Sequence, residues 1–106
     1  MEQPNLLYIK TLSGGDLEFE KKLIDVIKKE FPLEKNKYEN LVLFRDFKET
    51  AEIVHKLKHK ISILGLEKSY RIAIKFEENL LNENLALKEQ FESVLKNMSN
   101  FINQLE

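Results

Sequence analysis

The sequence predicts an all-α fold: an antiparallel up-down four-helix bundle with a short additional helix at the N-terminus. Three observations point there. Only three Gly and two Pro occur in 106 residues, while Leu, Ile, Glu and Lys dominate; few β-rich or loop-rich folds are built from that composition. Apolar residues recur at steps of three and four along most of the chain. The turn and capping signals are few, and they fall between the periodic stretches.

Taken in order, a short helix is expected around Leu6 to Leu12. Ser13-Gly14-Gly15-Asp16 then breaks the chain and offers an acid to the next helix start. A long run follows from Asp16, with Leu23, Ile27 and Phe31 on one face, and Pro32 predicts a kink or brief break there. The pattern resumes through Tyr38, Leu41 and Val42. Asp46 with Glu49 three residues on resembles a capping box and opens a helix expected to reach Leu64, with Gly65 as its left-handed stop. Leu66, Tyr70, Ala73 and Leu80 define the next helix, and Asn82-Glu83-Asn84 a polar connector. The last helix carries Leu87, Phe91, Val94, Met98, Phe101 and Leu105, alternating steps of four and three, a seam for packing on neighbouring helices. Short connectors between long helices imply antiparallel neighbours.

The length suits one domain over residues 1–106 with one modest core. With 42% hydrophobic and 33% charged residues the chain reads as soluble and globular, and with no Cys it has neither a disulfide framework nor a thiolate zinc site. No signal peptide and no stretch able to span a membrane are evident, so a cytoplasmic location is expected; the bundle is expected to be a monomer. The net charge of −1 hides an asymmetry. Residues 1–44 hold eight acids and seven bases, residues 45–75 four acids and eight bases, and residues 76–106 six acids and two bases. The middle third is thus basic and contains both histidines. That excess is too small for a nucleic-acid footprint but suits an acidic protein surface. Most of it is expected to be a solvated helix face.

On a helix from Asp46 to Leu64, with Val54 at the centre, Phe47, Ala51, Ile53, Val54, Leu57 and Ile61 define the buried arc. Lys58 falls about 40° from the centre, Ser62 about 80°, His55 about 100°, Lys48 about 120° and His59 about 140°. One flank of the buried stripe therefore carries His55, with Lys58 one turn on and a small Ser62 two turns on. An imidazole there is anchored at its base and exposed at its tip. Taken alone, His55 would be an ordinary boundary histidine; with Lys58 beside it, it suits a nucleophile. A histidine of ordinary pKa, about 6.5, is mostly neutral at physiological pH, so a ring nitrogen can attack phosphorus without a strong base. A neighbouring ammonium can pair with the phosphoryl oxygens. The chain has no glycine-rich phosphate loop and no Walker lysine, so it is not expected to bind ATP or act as a kinase. His55 and His59, an i,i+4 pair, have the spacing of a metal-binding pair that Glu52 would join, but no further ligand is evident and no metal is expected.

The stretch from His55 to Gly65 resembles the signature of the histidine-containing phosphotransfer (HPt) domains: His-x-Leu-Lys-Gly, four variable and often small residues, an aliphatic residue and Gly. His55, Leu57, Lys58, Leu64 and Gly65 fall in register. Leu12 to Asp16 and Phe76-Glu77 are also similar to family features. The resemblance implies a phosphocarrier without kinase or phosphatase activity of its own. His55 would take a phosphoryl group from a receiver-domain aspartyl phosphate and pass it to another receiver aspartate, and Lys58 would stabilise the phosphate. Response-regulator receiver domains or a hybrid sensor histidine kinase would be the partners, with Mg²⁺ supplied by the receiver and no cofactor on this chain. His59 stands where the family has Gly, on the side from which a receiver would approach; with Ser62 and Lys48 it forms the expected partner interface. The competing class is an interaction module, either an HPt-like adaptor that is never phosphorylated or an unrelated helical scaffold. Retention of both His55 and Lys58 favours the carrier.

Overall fold

Each stretch with apolar residues at every third or fourth position is helical. The computed structural model describes residues 2–105. It contains α1 (Leu7–Ser13), α2 (Leu17–Leu43), α3 (Phe47–Ile63), α4 (Glu67–Leu81) and α5 (Lys88–Asn103), with no strand among the described residues. Met1 and Glu106, the ends of the expected single domain, lie outside them. No helix among the described residues is long and apolar enough to cross a membrane. Contacts link α2 to α3, α3 to α4, α4 to α5 and α5 back to α2, while α1 lies on α2.

The start signals act as expected. The Asp16 side chain accepts from the Phe19 backbone N–H at 3.0 Å and that of Asp46 from Glu49 at 3.2 Å. The reciprocal half of the capping box does not form: the Asp46 N–H donates to the Leu41 carbonyl, 3.1 Å away, which fastens the turn to α2. α3 stops at Ile63 with Leu64 as its cap, and Gly65 takes φ +78°.

Other expectations need correction. α1 is displaced by one residue, Leu6 serving as its cap. Pro32 does not break α2, which is one helix of 27 residues. A proline removes one backbone donor; here the ring is exposed, and Phe31 and Tyr38, both buried, hold the segments on either side to the core. The connector before α5 extends to Leu87, which adopts a left-handed φ of +76°. The face of α5 in the core is Phe91, Val94, Leu95, Met98 and Ile102. Leu87, Phe101 and Leu105 are only partly buried: Leu87 and Leu105 lie outside the helix, and within it the 3.6-residue period brings Leu95 and Ile102 to the core rather than Phe101.

The core joins all five helices. Ile9 of α1 is fully buried, as are Val54, Leu57 and Ile61 of α3. Tyr38, Phe76 and Phe91 bring α2, α4 and α5 together, with ring centroids 5.1–6.3 Å apart. The Tyr38 hydroxyl donates to Glu92 at 2.9 Å. Burial first, and then the Glu92 carboxylate, push the phenol's pKa up and keep it a donor.

Candidate functional site

α3 is anchored by Ala51, Val54, Leu57 and Ile61, which face the core. That anchoring turns the His55 flank outward along the seam with α4, whose own buried stripe is Ser69, Ala73, Phe76 and Leu80. Glu77 follows Phe76 directly, so it emerges at the edge of that stripe, opposite α3.

The His55 side chain is 52% exposed. Its Nδ1 lies 3.2 and 3.3 Å from the two carboxylate oxygens of Glu77. The Lys58 Nζ is 3.0 Å from Glu77 Oε1, with only 13% of the side chain exposed, and it stands 5.9 Å from the centre of the Tyr70 ring. Glu77 therefore bridges the imidazole and the ammonium. An ionised carboxylate is acceptor-only, so the geometry assigns the proton to Nδ1 and leaves the Nε2 lone pair free. No hydrogen bond to Nε2 occurs among the described residues. The His59 ring meets the His55 ring edge-on at 4.9 Å.

A shallow hollow of ≈ 440 Å³ opens beside the imidazole between α3 and α4. Ala51 and Leu81 supply its apolar wall; Lys48, Glu52, Lys56 and Glu77 supply its charges. Lys48 thus shares a surface with His55. Ser62 is exposed and lines a separate hollow with Glu67, Tyr70 and Arg71. α1 lies at the opposite flank of α3, where Tyr8, Ile9 and Leu12 line a cleft with Lys60 and Ile63, so it does not cover His55. A larger hollow between α2 and α5 shares no residue with the one at His55. No group of three or more His, Cys, Asp or Glu side chains able to hold a metal occurs among the described residues.

The basic middle third is mostly a solvated face, as expected: Arg45, Lys48, Lys56, Lys68, Arg71 and Lys75 are exposed. Of the other two, Lys58 is half-buried and Lys60 is buried, its Nζ 3.0 Å from both Glu30 and Glu34 of α2. Sequence reasoning noted Glu77 only beside Phe76 as a family-like feature and assigned it no role. Its position is 22 residues from His55, and only the register of α4 on α3 brings the two together. The available signal was an acid at the edge of an apolar stripe opposite a basic one.

Comparison with protein-family models, with curated proteins and with solved structures gives no significant match.

Proposed function

We propose that the chain is a histidine phosphotransfer domain, with its four long helices arranged as an antiparallel up-down bundle and His55 as phosphoryl acceptor and donor. One observation carries the reading: the exposed imidazole is held at Nδ1 by Glu77, with Nε2 unengaged and Lys58 one turn away. In the forward step Nε2 attacks the phosphorus of a receiver aspartyl phosphate. The aspartyl O–P bond breaks and its electron pair returns to the carboxylate. The ring, now substituted on both nitrogens, carries a positive charge opposite Glu77. A second receiver aspartate reverses these bond changes. The receiver would bring Mg²⁺, while this chain contributes an oriented nucleophile, the part of the barrier that positioning lowers. Lys48 and His59, exposed on either side of His55 along α3, belong to the docking surface in this reading, with Ser62 two turns on.

The test is incubation with a phosphorylated receiver. Acid-labile, base-stable label is expected on His55 and absent from His55→Gln. A chain that binds receivers but never takes label would instead be an adaptor.

A further inference from the structure

We propose that Glu77 limits how long a phosphoryl group stays on His55, by competing for Lys58 and by keeping the phosphorylated ring ready to leave. This rests on the reading of His55 as phosphoryl acceptor.

Lys58 is the cation placed one turn from the imidazole, yet its Nζ is 3.0 Å from Glu77 Oε1. The two side chains are 13% and 20% exposed. Water therefore screens this contact less than it screens Lys35–Glu39, at 32% and 54%. One carboxylate occupies both groups that a phosphoryl group would use. Before transfer this is favourable, because the ring is oriented with Nε2 free. After transfer the phosphoryl oxygens and Glu77 share one ammonium, and their like charges repel. The same carboxylate holds the proton on Nδ1, so the phosphorylated ring stays positive and departs as a neutral imidazole. When a receiver carboxylate or water attacks phosphorus, the Nε2–P bond breaks, its electron pair returns to Nε2, and Nδ1 keeps its proton. With water the product is dihydrogen phosphate, and charge balances. Both effects shorten the life of the phosphohistidine and favour handing the group on over storing it.

Glu77→Gln separates orientation from charge, since the amide oxygen still accepts from Nδ1–H while the negative charge is gone. The experiment labels the intact chain and its variants with phosphoramidate, a small donor that needs no receiver, and follows phosphohistidine decay at neutral pH. Circular dichroism checks the fold of each variant. Decay in Glu77→Gln is expected to be roughly two- to fivefold slower, the range set by a partly exposed charge pair. Lys58→Gln is expected to change decay little in the parent and to speed it in the Glu77→Gln background, where the freed ammonium has become the phosphate's partner. Decay in Glu77→Gln equal to or faster than in the parent overturns the proposal, as does an equal effect of Lys58→Gln in both backgrounds. Absence of label from His55 in the parent overturns the reading beneath it, and the proposal with it.

Discussion

Glu2 accepts the backbone N–H of Ser69 at 2.8 Å, a contact between residues 67 apart in sequence. Its other carboxylate oxygen takes the Lys68 N–H at 3.0 Å, and its backbone carbonyl accepts from the Asn97 side chain. α4 has no side-chain cap of its own at Leu66, so the N-terminal segment supplies an anion to the unsatisfied N–H groups of its first turn. Desolvation works against ionisation of this carboxyl. The Ser69 and Lys68 N–H donors outweigh it, aided by the Ser69 hydroxyl and the Lys68 charge, and the pKa is lowered.

A folded-state pKa below the unfolded one stabilises the fold above the ordinary carboxylate range and ceases to do so as pH falls through the lowered value. Protection factors of the Lys68 and Ser69 amides are therefore expected to drop on acidification below about pH 4.5, the ordinary Glu value. In Glu2→Gln they should be lower at neutral pH and nearly flat. Protection in the parent that ignores pH in this window would refute the capping role.

Gly65→Ala should destabilise the chain by about 1–2 kcal/mol, the cost of holding an L-residue in the left-handed region. An added Cβ would also stand 2.7 Å from the Asn5 amide nitrogen. That group is the end of a flexible side chain, but its oxygen accepts from the Leu7 N–H at 3.0 Å, so moving it loosens the start of α1. Chemical denaturation of Gly65→Ala in an Asn5→Ala background isolates the backbone part. A cost that vanishes there would show that the collision, and not φ, decides.

Lys60→Ala is expected to cost about 2–3 kcal/mol, below the usual figure for breaking a buried pair because Glu30 can turn to water. Glu34 cannot do so readily: it is 16% exposed and would be left with an uncompensated charge. Lys60→Met with Glu34→Leu removes both charges and should recover most of that loss. Urea midpoints of the three proteins measure it, and a double variant no more stable than Lys60→Ala would contradict the argument.

The features legible in the sequence are those decided within a few residues. Asp16, Asp46 and Gly65 mark their helix ends because a side chain or a left-handed residue acts on backbone three or four positions away. The flank of α3 was legible for the same reason: helix geometry alone places His55 beside the buried stripe and Lys58 one turn on. What escaped depends on register between elements. Pro32 lies in an unbroken helix because packing of Phe31 and Tyr38 overrides a local penalty. Lys60 looks solvated until Glu30 and Glu34 of α2 are set against it. Glu77 and Glu2 act across gaps of 22 and 67 residues, where periodicity carries no information about which side chains meet.

The two histidines should behave differently despite their ring contact. His55→Gln is expected to abolish phosphoryl acceptance and leave the fold intact, since the side chain is exposed and its contacts are those to Glu77 and His59. His59→Gly should keep acceptance. His59 lies further from the buried arc and makes no hydrogen bond or ion pair with Glu77 among the described residues; it meets the His55 ring edge-on at 4.9 Å. Glycine there removes the neighbouring ring from the surface a receiver would meet and costs up to about 1 kcal/mol of helix stability. The rate with a receiver should therefore change while the site of labelling does not. An imidazole without an anchoring partner is less well aligned for in-line attack, and misplacement by ~1 Å costs roughly 100-fold. Phosphopeptide mapping decides between the two rings: label on His59, or label surviving in His55→Gln, would reassign the nucleophile and remove Glu77 from its role.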